Sequence, residues 1–351
     1  MSEDYVKGRG AQFNTHNRFE KRQVVQEHIE GLDEDFMPEG PATQYIEQQP
    51  KSIISKNNSP DVPFSMSINP YQGCEHGCIY CYARNSHEYW GYGAGLDFES
   101  RIIVKTNAPQ LLEKALLKPS YKPEAISLSG NTDCYQPAEK KYQLTRQMLQ
   151  IFLRYGHPVG IITKNQLIRR DIDILRDLAA EGLVHVYLSI TTLDESLRRV
   201  LEPRTATATA KLRTIEALTE AGVPCGLMTA PVIPGLNSHE LPEIIRLGAD
   251  AGAIKAGYTM LRLNGQIQYL FKDWLTKNFP DRAKKVWNQV STMHGGTVTD
   301  SNFGQRMRGQ GVIAESIRQI FHAAVKKNMG GKDMPPYALD KFRPGGALRL
   351  F

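Results

Sequence analysis

From Pro63 to Asn264 the sequence alternates between short apolar, β-branched runs and amphipathic stretches. The runs fall at residues 125–129, 159–163, 184–191, 225–233 and 254–263, with a first near 65–69. The amphipathic stretches lie between them, at 142–155, 168–181, 208–221 and 241–251. Such a spacing, roughly 25–35 residues per unit, is that of βαβ units. Continuous apolar strands imply a parallel sheet covered by helices. Gly182 and Gly222 stand just past two of the expected helices, where a left-handed cap is wanted. Six βα units fit, and a closed eight-unit barrel needs about 250 residues, more than this region has. The fold class expected is therefore α/β, a partial (β/α)6 TIM-like barrel over residues 61–264. Residues 1–60 read as a polar leader that wraps the core, with a candidate helix near 18–30. Residues 265–351 read as a helical appendage, with helices at 266–277, 281–291 and 312–327; Ile313, Ile317, Ile320, Phe321 and Ala324 make an apolar stripe on the last.

Function in a parallel barrel belongs at the C-terminal ends of its strands, and polar residues collect there. The second strand runs into Thr132, Asp133 and Cys134, the third into Lys164 and the fourth into Ser189 and then Arg204. The fifth leads to Val232 and Gly235, and the sixth to Arg262.

Three of the five cysteines, Cys74, Cys78 and Cys81, lie within eight residues in a C-x3-C-x2-C spacing. Clustered cysteines point to a metal site in a reducing compartment rather than to disulfides. Thiolates suit iron–sulfur clusters and zinc. Zinc would need His76 or His87 as a further ligand, and structural zinc sites usually bring a second ligand pair, which this sequence lacks. Three thiolates on one short loop can instead hold three corners of a [4Fe-4S] cubane and leave the fourth iron without a ligand from the motif. Gly73 and Gly77 let such a loop curl tightly.

The loop, with Tyr80 directly before its last cysteine, resembles the signature of the radical S-adenosylmethionine (SAM) superfamily. The longer string from Gly73 to Arg84, GCEHGCIYCYAR, resembles the branch of spore photoproduct lyase and related DNA-photolyase-like proteins. The resemblance covers roughly residues 60–260. It implies a [4Fe-4S] cluster on Cys74, Cys78 and Cys81, and SAM as second cofactor. It further implies reductive cleavage of SAM to a 5′-deoxyadenosyl radical that abstracts hydrogen from a substrate, and a low-potential electron donor of flavodoxin or ferredoxin type. By the same resemblance Thr132 and Asp133 meet the methionyl ammonium, and Lys164, Ser189 and Arg204 suit the carboxylate and ribose. Val232 and Gly235 belong to a turn beside the adenine, which Tyr80 also flanks. Spore photoproduct lyases carry a hydrogen-donating cysteine just before these residues; the aligned position here is Gly130. Cys134 lies on the other side of Asp133 and is the candidate catalytic thiol, the alternative being a small buried hydrophobe.

Charge adds one more expectation. The net charge is +6, and residues 301–351 carry nine basic and three acidic side chains, so the whole excess sits there. A basic tail with Arg306 and Arg308 in an RMRG segment can contact a nucleic-acid backbone; a solvated surface explains it equally well. No stretch is long and apolar enough to span a bilayer, and no secretory signal opens the chain, which points to the cytoplasm. The rival reading is a noncatalytic zinc or iron–sulfur module that docks on nucleic acid.

Overall fold

The apolar runs form strands, and the strands assemble as their alternation requires. In the computed structural model, which describes residues 5–19 and 42–344, ten strands appear. They are β1 (Gln44–Gln48), β2 (Ile54–Lys56), β3 (Met66–Ile68), β4 (Tyr71–Gln72), β5 (Arg101–Lys105), β6 (Ile126–Leu128), β7 (Val159–Thr163), β8 (Val184–Ser189), β9 (Cys225–Val232) and β10 (Lys255–Met260). Seven make one sheet in the order β10-β9-β8-β7-β6-β3-β2. From β10 to β3 every pairing is parallel, and β2 pairs antiparallel with β3. That is six parallel strands, as expected, in a sheet that stays open: among the described residues β10 and β2 are its margins. A smaller sheet, β1-β5-β4, stands beside it.

Helices Leu144–Arg154, Ile172–Ala180, Ala208–Glu220 and Leu241–Asp250 connect successive strands from β6 to β10. Thr207 caps the third by accepting a hydrogen bond from the Ala210 amide. Gly182 and Gly222 end two helices with φ of +70° and +79°. Leu128, Ile161, Val186 and Leu227 on the strands pack fully buried with Met148, Leu175, Ile215 and Ile245 on the helices. Each such side chain contributes about 1.5–3 kcal/mol on leaving water.

The expected helix near 18–30 lies outside the described residues, except that Arg18 and Phe19 form a turn. Beyond β10, helices Ile267–Asn278, Pro280–Met293 and Gly311–Met329 follow. The apolar stripe of the last, through Ile317, Phe321 and Ala324, is buried in the main core. Residues 333–343 then cross the N-terminal side of the sheet. The Tyr337 ring stacks on His185 of β8 at 3.9 Å, the Ala338 amide donates to Gly182, and Arg343 pairs with Glu181 at 3.0 Å. Several charges of the basic tail are thus used internally: Arg343 on Glu181, Arg318 on Glu315, and Arg306 on Asp61 and Ser59. Arg349 lies outside the described residues. Among the described residues no helix is long and apolar enough to cross a membrane.

Candidate active site

The cysteine loop follows β4 and is fixed from all sides before any metal is considered. Gly73 and Gly77 have φ of +78° and +68°, the left-handed region that bends the chain back on itself. The Cys74 amide donates to Phe98 and the Ile79 amide to Leu201. Buried Gln136 accepts from the Glu75 amide at 3.0 Å and donates to the Gly73 carbonyl at 3.1 Å. All three thiols are free; Cys74 and Cys78 are buried and Cys81 partly so. Burial pushes their pKa values up, and Asp133, then Cys78 and Cys81, raise that of Cys74 further.

The strand ends meet this loop. Asp133, after β6, accepts from the Thr163 hydroxyl at 2.8 Å and the Lys164 amide at 2.8 Å, both at the end of β7, and pairs with His76 of the loop at 3.3 Å. Burial alone would raise its pKa, but His76 and these donors hold it below the usual carboxylate value. Lys164 donates to Ser189 at 2.8 Å, Thr191 at 3.0 Å and the Ala230 carbonyl at 3.4 Å, and pairs with Glu202 at 3.0 Å. Glu202 is fully buried, receives the Tyr80 and Thr191 hydroxyls, and also faces buried Lys211 at 3.4 Å. β6, β7, β8 and the cysteine loop therefore end in one polar network.

Of the residues singled out from sequence, Tyr80, Asp133, Lys164 and Ser189 come together here. Others are placed differently. The Thr132 hydroxyl donates to the Tyr71 carbonyl and is buried. Arg204 is exposed and turns to the N-terminal segment, donating to the Gly8 carbonyl at 3.2 Å. Val232 is buried, and a Cβ on Gly235 would lie 2.9 Å from Gln289 of helix Pro280–Met293, so this turn packs on that helix. Cys134 sits in the main hydrophobic core at 0 % exposure, its amide on Ser129 and its carbonyl on Thr145, as a small buried side chain does. A cysteine at position 130 has no room, since a Cβ there would lie 2.5 Å from the Ser67 Cβ.

Sequence reasoning gave no role to Glu202, Lys211, Arg84 or Glu99, because their pairings, Glu202 with Lys164 and Lys211 and Glu99 with Arg84 and residues 10–11, appear only once the chain is folded. Arg262, past β10, makes no hydrogen bond or ion pair among the described residues; burial, then Arg306, pushes its pKa down.

The donor set suits an iron–sulfur cluster. Among the described residues no three Cys, His, Asp or Glu side chains are arranged to hold a single metal ion. A cubane instead takes thiolates at separate corners, and its positive irons offset the cost of ionising buried thiols. Both ring nitrogens of His76 are engaged, by Asp133 and Asn165, so His76 is not an open ligand; His87 is buried against Phe98, with no side-chain hydrogen-bond partner among the described residues.

Comparison with known proteins agrees. The Radical SAM superfamily model matches residues 68–248. An uncharacterized protein of Mycobacterium tuberculosis is 36% identical over 238 residues, covering 67% of this chain and 70% of that protein. One of Methanocaldococcus jannaschii is 27% identical over 224 residues, covering 64% of this chain and 80% of its own length. In fold the chain is similar to spore photoproduct lyase complexed with dinucleoside spore photoproduct, with a TM-score of 0.57 at 12% identity over 82% of this chain and 80% of that one.

Proposed function

Because the chain belongs to the radical SAM superfamily, whose members use a [4Fe-4S] cluster and SAM, we propose that Cys74, Cys78 and Cys81 hold that cluster and that SAM lies across the strand ends beside them. The observation that carries this reading is the loop itself: three free thiols within eight residues, on a loop that His76 and Gln136 fasten beside the ends of an open parallel sheet. When bound, cluster and SAM supply one-electron reductive cleavage of the sulfonium and thereby a carbon-centred radical.

The chain's own residues hold and shield. Asp133 fixes the end of β7 against the cysteine loop. Lys164 is the cation at the mouth, and exchanging its longest bond, to Ala230 at 3.4 Å, for the SAM carboxylate leaves Ser189 and Thr191 to aim it. Arg204 serves the N-terminal segment instead. The product side of the reaction is a radical modification of a substrate, lyase-like or otherwise. A nucleic acid is the substrate class favoured by the fold's likeness to a lyase solved with a dinucleoside photoproduct and by the cations of the C-terminal region that have no ion pair among the described residues, Arg308, Lys326, Lys327, Lys332 and Lys341. Arg308 also lines a surface groove of about 580 Å³ with Gln305 and Arg318. A low-potential flavodoxin or ferredoxin would deliver the electron, and five free thiols fit a reducing cytoplasm.

The test is anaerobic reconstitution. About four irons per chain should bind, with reductive cleavage of SAM to methionine and 5′-deoxyadenosine, and Cys78→Ala should lose both. Stoichiometric zinc without iron in anaerobically purified protein would overturn the reading.

A further inference from the structure

The cysteine loop is built around a buried ion pair, Arg84 with Glu99. Arg84, three residues past Cys81, is 0 % exposed, and all five of its guanidinium N–H donors are spent. Nε donates to the Cys78 carbonyl at 3.0 Å, Nη1 to the Ala94 and Gly95 carbonyls at 3.1 and 3.0 Å, and Nη2 to the Gly77 carbonyl at 3.2 Å and to Glu99. Two of its acceptors are therefore loop carbonyls beside or at a thiol-bearing residue. Four of the five donors go to backbone carbonyls and the fifth to the Glu99 carboxylate, so the guanidinium cross-links the cysteine loop to residues 94–99.

Glu99 is equally buried and carries the contact outward. Its carboxylate accepts the Gly10 amide at 3.0 Å and the Ala11 amide at 2.8 Å, while its backbone carbonyl accepts from Arg9. Residues 8–11, Gly-Arg-Gly-Ala, are thereby laid on the back of the cysteine loop. The approach is close: a Cβ on Gly10 would sit 1.9 Å from the Gly77 carbonyl oxygen, and one on Gly77 would sit 2.8 Å from the Glu99 carboxylate. Further along, the Leu96 amide donates to the Phe13 carbonyl and the Asn17 side chain to the Glu88 carbonyl. The N-terminal segment is thus a strap over the loop's outer face, and Glu99 is its anchor.

We propose that Arg84 and Glu99 are positioning residues for the cluster: Arg84 holds the cysteine loop in its ligating shape, and Glu99 both balances the guanidinium charge beside the thiolates and pins the strap that seals them from solvent. The proposal rests on Cys74, Cys78 and Cys81 being the cluster ligands. Its electrostatic half follows from placement. A lone guanidinium this close to the cluster would favour the extra electron of the reduced state; paired with Glu99 it is neutral at short range. Its mechanical half follows from the carbonyl bonds, which a lysine cannot reproduce because it lacks the planar fork.

Two conservative variants of the full chain separate the halves. Glu99→Gln keeps size and one acceptor oxygen, for Ala11 and Arg84, and removes the charge together with the acceptor for the Gly10 amide, so the cluster's midpoint potential, read by electron paramagnetic resonance during a redox titration, should shift upward. Arg84→Lys keeps the charge and loses the bonds, so iron should pass to a chelator about 10–100-fold faster, the usual effect of removing an outer support of a metal site. Its potential should stay near that of wild type. Circular dichroism establishes that each variant is folded; if Arg84→Lys is not, Gly10→Ala applies the same chelator test from the strap side. A wild type that loads iron, with both folded variants matching its potential and chelator rate, would overturn the proposal alone. A wild type that binds no iron would overturn the cysteine assignment, and this proposal with it.

Discussion

Glu202 governs the electrostatics of the mouth. Burial by itself would raise its pKa, but Lys164 and Lys211 hold the carboxyl well below its ordinary 4.5. A carboxyl depressed by folding stabilises the protein fully above its unfolded pKa, and the contribution is lost as pH falls through the folded value. Stability should therefore hold from neutral pH down to about 4.5 and decline below it. Glu202→Gln leaves buried Lys211 and partly buried Lys164 short of a counter-charge, and breaking a buried pair typically costs about 3–5 kcal/mol. Denaturant unfolding at pH 7 should register a loss of that size, with a flatter acid limb; an unchanged midpoint would contradict the assignment. Cys134→Ala should cost about 1–2 kcal/mol while leaving SAM cleavage and product distribution as they were; altered products would instead restore the thiol to the chemistry. Asp133, Lys164 and Ser189 are legible as a group in the sequence because the C-terminal ends of parallel strands share one mouth. Glu202 is not legible there, because its meaning lies in Lys164 and Lys211, which contact it only once the helices after β7 and β8 have packed.

At the scale of elements, the six parallel strands could be read from period and composition because most are apolar runs of a few residues with both faces largely covered; β10, at the margin, is only partly buried. β1 could not: Gln44–Gln48 is polar and mostly exposed, and becomes a strand only because β5, far along the chain, offers it a parallel partner. The partner of the RMRG segment could not be read either. Its first arginine answers Asp61 and Ser59, in the loop between β2 and β3, and the Gly304 amide donates to the same Asp61. It therefore ties the chain beyond β10 to the opposite margin of the open sheet. Arg306→Ala should accelerate hydrogen exchange at residues 57–65 and 300–309 several-fold without changing iron content. Equal exchange at both segments would mean the clasp carries no restraint.

For the whole molecule, the two ends of the described chain secure opposite sides of one sheet, the N-terminal strap at the mouth and residues 333–343 at the base. The internal pairing of Arg306, Arg318 and Arg343 also limits what the basic tail can give a nucleic acid. With Arg308, Lys326, Lys327, Lys332 and Lys341 as the contacts, duplex affinity should fall with log salt at a slope of roughly −4.5 or shallower, measured by titrating labelled DNA and RNA; a markedly steeper slope would require the internal pairs to open. The open sheet has a further consequence, in how copies of the protein behave toward one another. Unpaired strand edges invite other chains to add on. Here β2 is three residues long with Ser55 and Lys56 exposed, while helix Gly311–Met329 covers β10, Tyr258 meeting Phe321 at 4.5 Å. Both margins are thereby poor templates for edge-to-edge growth, and the protein should remain monodisperse by light scattering at high concentration, whereas Lys56→Val should promote aggregation.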